Sequence, residues 1–192
     1  MIIKSKVITH PVAEPITVSD MKDILKIDHT SEDSYISRLI TRARRIAENY
    51  CGLSFLTQTR EINLDSFPCG SIILPHGPVQ SVSSFTYIDT DEIQQTLTVS
   101  TDFRIDIDSD ICRVEAIDTW PTANDQINAV TIQYLAGFTN VLQDQLPEEA
   151  VEMTSRLVAR MYEKRGDENA PLLTDDIMQI GDLIKVYWNA NV

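Results

Sequence analysis

Residues 31–52 read SEDSYISRLITRARRIAENYCG, and they set the fold class. Ile36, Leu39, Ile40, Ala43, Ile46, Ala47 and Tyr50 recur at i, i+3, i+4, i+7, i+10, i+11 and i+14. That is one face of a 3.6-residue period held for four turns, and it predicts a helix over 32–51. Ser31 is placed to cap it, Glu32 and Asp33 lie at its positive end, and Gly52 stands where a helix gives way to a left-handed residue. Upstream, Thr17 followed by Asp20 predicts a capped short helix over 18–26, with Met21, Ile24 and Leu25 on one side.

Downstream of Leu56 the period changes from 3.6 to 2. Runs at 57–64, 71–74, 82–88, 95–99, 103–107, 112–117 and 129–135 are short and rich in Thr, Val, Ile, Phe and Tyr. Turn residues separate them, such as Pro75-His76-Gly77-Pro78 and Asp89-Thr90-Asp91, so an antiparallel sandwich or small barrel is expected. Helical spacing returns at Leu146-Pro147-Glu148-Glu149, with Val151, Thr154, Leu157, Val158, Met161 and Tyr162 as its apolar stripe. A polar loop at 166–171 precedes a last helix, capped at Thr174-Asp175-Asp176 and running to about Trp188. The expectation is an α+β fold. An N-terminal helical part (1–55) and C-terminal helices (142–192) pack as one bundle, with a β insert over 56–141 between them.

Twenty-nine acids against sixteen bases give a net charge of −13. Such a surface repels a phosphate backbone, so sequence-independent DNA binding by the bulk surface is not expected. With 43% hydrophobic and 23% charged residues the chain is globular rather than disordered. No apolar run reaches the roughly 18 residues of a membrane helix. The first residues contain no signal-peptide core, so a cytosolic origin is expected. Cys51, Cys69 and Cys112 are odd in number and widely spaced, and read as reduced buried thiols. His10, His29 and His76 are scattered, and no metal-ligand spacing occurs. No nucleophile elbow, phosphate-cradling loop or dinucleotide fingerprint appears. Asp106-x-Asp108-x-Asp110 resembles the start of a calcium loop, but Ile111 and Ile117 stand where Gly and Glu would be needed. It reads as a solvated turn, as does Asp89-Thr90-Asp91-Glu92. No catalytic residue, cofactor or metal site is therefore expected.

Two features suggest contacts instead. Arg38, Arg42 and Arg45 fall at i, i+4 and i+7 on the long helix, with Arg44 nearby and no acid between Ser34 and Ala47. They form either a solvated face or a subunit interface facing acids on another copy, a role suited to the bidentate guanidinium. Tyr187 and Trp188, near the C-terminus, either dock on the chain's own core or form an arm that anchors in a partner.

The order of segments resembles the head–tail connector (adaptor) proteins of tailed phages. The motifs are Pro15-Ile16-Thr17-Val18-Ser19-Asp20-Met21-Lys22, Leu25-Lys26-Ile27-Asp28, the acid-led helix to Gly52, and Thr57-Gln58-Thr59 with Leu64-Asp65-Ser66-Phe67-Pro68. Ile73-Leu74-Pro75, Pro78-Val79-Gln80-Ser81-Val82, Ala129-Val130-Thr131-Ile132-Gln133-Tyr134 and Arg160-Met161-Tyr162-Glu163-Lys164-Arg165 continue it. The resemblance covers about residues 15–165. It implies a virion neck protein, assembled in the host cytoplasm, that forms a closed ring of about twelve copies beneath the portal protein. DNA passes through the lumen without specific binding, and stopper or tail-completion proteins bind below. No membrane contact and no cofactor are implied. The alternatives are a small hydrolase with an acidic cleft, recognisable by carboxylates of raised pKa in a pocket, and a monomeric binding module.

Overall fold

The computed structural model describes residues 5–107, 111–138, 146–165, 167 and 171–190, with side chains through Lys185. The chain forms two compact units. One comprises the residues up to Pro11 with 57–137, the other 12–56 with 138–191.

The helical unit contains α1 (Val18–Leu25), α2 (Asp33–Cys51), α3 (Glu148–Glu163) and α4 (Asp175–Ala190). Thr17 caps α1 by accepting the Asp20 N–H at 3.1 Å, and its hydroxyl donates to the Asp20 carboxylate. Gly52 ends α2 at φ 71°. Ser31 does not cap α2. Its hydroxyl turns to the His29 ring at 2.8 Å, and Glu32 stands at the cap position without a side-chain cap bond. The predicted stripe is the buried face. Ile36, Leu39, Ile40, Ala43 and Ala47 pack in one core with Met21, Phe55, Ala150, Met153, Leu157 and Val158.

The last helix belongs to that core. Ile177, Ile180 and Ile184 of α4 are at most 8% exposed. At Gly181 a Cβ would lie 2.6 Å from the Tyr50 ring, so the two helices touch where only a hydrogen fits. The Tyr50 hydroxyl donates to Asp182 at 3.1 Å, and the Lys185 ammonium sits 3.9 Å from the Tyr50 ring centroid. Of the two readings of the last helix, docking on the chain's own core holds for its isoleucines: the apolar stripe of α4 buries in its own chain. Most of the loop at 166–171 lies outside the described residues.

Arg44 also departs from expectation. It points inward and is 1% exposed. Its Nε lies 2.7 Å from Glu14 Oε2 and its Nη1 2.8 Å from Glu48 Oε2. Glu48 Oε1 accepts the Phe55 N–H at 2.9 Å, and the Thr41 hydroxyl donates to Glu14 at 2.8 Å. One guanidinium thus ties the segment before α1, the body of α2 and the turn after it.

The β unit holds two open antiparallel sheets around one core. The larger runs β1 (Ser5–Thr9), β2 (Gln58–Leu64), β8 (Val130–Ala136), β4 (Val79–Ile88), β5 (Gln94–Thr96). The smaller runs β3 (Ile72–Ile73), β7 (Arg113–Ala116), β6 (Phe103–Asp106). Neither sheet closes, so the arrangement is sandwich-like and not a barrel. Val130, Ile132, Tyr134 and Ala136 alternate inward along the central β8 and meet Ile62, Leu64, Phe85, Phe103 and Val114. Strand β1 is unexpected. It is an edge strand, mostly exposed, held by its ladder to β2 and by Lys6–Glu61 at 2.6 Å, so no apolar alternation announces it. Cys51 and Cys112 are buried, which raises their thiols to about 11 and 12, whereas Cys69 is exposed and departs from the expected burial.

Three outcomes follow from these contacts. Glu48→Ala leaves the Arg44 guanidinium and the Phe55 N–H short of a partner in the core, and should destabilise the helical unit by about 3–5 kcal/mol in urea unfolding. Deleting residues 174–192 exposes the cavity left by three isoleucines, each contributing roughly 1.5–3 kcal/mol. A large fall in Tm is expected, and an unchanged Tm would show α4 to be dispensable to the core. His76, half-buried, has its pKa lowered to about 4 by burial and by the Arg60 charge. The unfolded chain then binds the extra proton between about pH 6.5 and 4, so stability present above pH 6.5 is lost as pH falls. His76→Asn, which tolerates the φ of 60° at this position, should flatten that part of the pH–Tm profile.

Candidate functional site

The residues singled out for contacts separate into three groups. Arg38, Arg42 and Arg45 are all exposed on α2, on the side away from the buried Ile36–Leu39–Ile40–Ala43 face. Arg38 and Arg42 form no ion pair among the described residues. Arg44 leaves this set for the buried cluster with Glu14 and Glu48. Tyr187 and Trp188 lie on the final turns of α4, where the backbone is helical and the side chains lie outside the described residues. The structure thus brings the three arginines together on one face of α2.

Why α2 presents such a face is a matter of period. Positions 38, 42 and 45 repeat at the helical spacing, offset from the core stripe, so their long side chains project into solvent. The opposite helix pair carries acids. Glu148 and Glu149 open α3, where the helix dipole favours them, and Glu152 follows one turn on. Glu152 is paired with Arg156 at 2.5 Å, and Arg156 also reaches Asp176 of α4 at 3.4 Å.

At the other end of α3 a cluster closes the bundle. Tyr162 donates to Glu32, Arg165 lies 2.6 Å from the same carboxylate, and the guanidinium sits 4.6 Å from the Tyr162 ring centroid. The hydrogen bond from Tyr162, then that from Arg165, holds the Glu32 carboxyl below the usual range. Asp89 is likewise lowered by Gln95 and by the N–H groups of its own turn, and Asp176 by Thr174. Burial raises Glu61, but bonds from Lys6, Gln133 and Asn63 outweigh it and bring it down. All four shifts favour the ionised form, the reverse of what a general acid in a cleft requires.

Two grooves were not foreseen. In the β unit, Phe67 stacks on Trp120 at 5.1 Å between ring centroids, and a shallow groove runs along them past Cys69, Ser71, Glu115 and Asp118. Ser71 donates to Glu115 there at 2.6 Å. In the helical unit, Ile16, Ile24, Leu146 and Val151 line a groove of about 630 Å³ rimmed by Glu148 and Glu152. Neither was legible as a site because its residues come from segments distant in the chain. Asp106, from the acidic triplet, pairs with Arg113 across the β6–β7 hairpin at 2.7 Å, while Asp108 and Asp110 lie outside the described residues. Among the described residues, no group of three or more His, Cys, Asp or Glu could hold a metal ion, and no helix is long and apolar enough to cross a membrane.

Comparison with solved structures finds this fold in virus-like particles. A chain of the virion of the native gene transfer agent (GTA) particle superposes with a TM-score of 0.77 at 20% identity, covering 93% of both chains. A chain of the neck of the empty GTA particle, computed with C6 symmetry, gives 0.75 at 20% identity over 96% of this chain and 94% of that one. A chain of the native particle's neck, computed with C12 symmetry, gives 0.69 at 20% identity over 98% and 94%. No curated protein matches. The family model described as head completion protein matches residues 14–149, from the Glu14 partner of Arg44 through strands β2 to β8 to the first turn of α3. With most of its length inside that match, the chain belongs to the head completion protein family.

Proposed function

We propose that this protein is a structural connector of the virion neck, whose copies close head-to-tail into a ring beneath the portal. The observation that carries the reading is the likeness, over more than nine-tenths of both chains, to chains of particle necks computed with C6 and C12 symmetry. Membership of a head completion family supports a structural role rather than a catalytic one. A net charge of −13 suits a lumen through which DNA slides, because an acidic wall offers no cations to displace the counterions of the duplex. Stopper or tail-completion proteins dock below the ring.

Within this reading Arg38, Arg42 and Arg45 contact the neighbouring copy, and Tyr187 and Trp188, on the last turns of α4, contact the portal or a neighbour. The exposure of the three arginines on one helical face supports the first assignment. A repeated heterologous contact closes into a ring when its rotation permits.

Light scattering of the purified chain should show large oligomers at high concentration or on addition of portal protein. A monomer under both conditions contradicts the ring. Reversing Arg38, Arg42 and Arg45 to Glu should weaken assembly while leaving far-UV circular dichroism unchanged. Each buried pair broken costs roughly 2–5 kcal/mol, against less than about 1 kcal/mol for an exposed pair. Assembly of the triple variant at the wild-type concentration would mark the arginines as a solvated face.

A further inference from the structure

The apolar groove of the helical unit carries carboxylates opposite in charge to the arginine face of the same unit. We propose that the groove between α1 and α3 is the acceptor site for the Arg38–Arg42–Arg45 face of a second copy of this chain. The proposal rests on the ring reading and deepens it by naming the other half of the contact.

Four observations carry it. Ile16 and Leu146 form a buried floor, while Ile24 stands at the wall 51% exposed, an apolar surface open to solvent. Glu148 and Glu152 rim the groove; Glu148 forms no ion pair among the described residues, and Glu152 is held by Arg156 through Oε1, which leaves Oε2 to face the groove's occupant. Glu148 and Glu152 are four residues apart on α3, as Arg38 and Arg42 are on α2, so both pairs are spaced by about 6 Å along a helix axis. Two parallel guanidinium–carboxylate contacts can then form in register. The aliphatic stems of the arginines and the half-buried Ile46, one turn beyond Arg42, supply apolar contact for the groove.

The second copy, rather than the same chain, is the occupant for a geometric reason. Helices α2 and α3 pack against each other through their buried faces. Their exposed faces therefore point away from one another, and the arginines of a chain cannot reach its own groove. Arg38 and Arg42 on one face and Glu148 on the opposed face have no ion pair among the described residues, so these charges can meet only between copies. Such a contact is heterologous, so it propagates, which a two-fold contact would not do.

Charge exchange tests this. Three proteins are compared by sedimentation velocity over the soluble concentration range: wild type, Arg38→Glu/Arg42→Glu, and Glu148→Lys/Glu152→Lys. Each variant alone should self-associate at least about tenfold more weakly than wild type. Mixed one to one, they should recover association. The intact arginines of the Glu148→Lys/Glu152→Lys chain meet the intact groove of the other, and the reversed pairs meet each other. Ile24→Ser, at a half-exposed wall position, should weaken association without lowering Tm, which separates the groove from any folding defect of the charge variants.

Monomeric wild type at every concentration would overturn both the ring reading and this contact. Oligomeric wild type together with undiminished self-association of Glu148→Lys/Glu152→Lys would overturn the contact alone. So would a mixture that stays monomeric, or a groove variant that assembles normally yet loses binding to portal protein, since the groove would then serve a different partner.

Discussion

A guanidinium in the helical core organises this unit more than any single apolar contact. Arg44 is buried with carboxylates on two sides, and each carboxylate has a second duty. Glu14 also receives the Thr41 hydroxyl, and Glu48 also receives the N–H of Phe55. Burying a cation is costly unless every donor finds a partner. The entry to α1 and the exit from α2 are therefore constrained together: moving either one strands a charge. The exit matters because Leu53, Phe55 and Leu56 are all core residues, and their backbone direction is set at the Glu48 end of α2. The C-terminal helices then complete the same core, through Leu157, Val158 and the isoleucines of α4.

The period of the apolar residues made most elements legible. A seven-member stripe at helical spacing defines α2, and strict alternation defines β8, because in both cases one face is buried and the other is not. What escaped were features without such a contrast. Strand β1 lies at a sheet edge with little burial, so Lys6-Val7-Ile8-Thr9 carries no inward face. Ser31 looks like a cap by type and position, yet a nearby imidazole competes for its hydroxyl. Arg44 sits beside three arginines that are exposed. Glu48 is a partner at the local i,i+4 spacing, but the second carboxylate, Glu14, arrives from thirty residues upstream, and no local spacing reports that.

The two surfaces proposed for contact between copies show the same division. The arginine face was visible because three cations share one helical spacing. Its acid-rimmed counterpart was not, because Ile16 and Ile24 meet Leu146 and Val151 only after the N- and C-terminal helices pack. The acids at the start of α3 sit where the helix dipole favours them. That role is compatible with a second one, since a carboxylate on an exposed first turn stabilises its helix and still presents an oxygen to a neighbour. The carboxylates with displaced pKa values are lowered, each by hydrogen bonds that fix it in place.

Copies that join through opposite faces of one helical bundle would show that contact in an assembled ring. Electron microscopy of the full chain assembled on purified portal protein tests it most directly. The account predicts a rotationally symmetric ring in which the exposed face of α2 in each copy lies against α1 and α3 of the next. Copies that sit on the portal without touching one another, or that meet through the β unit with both helical faces open to solvent, would contradict it.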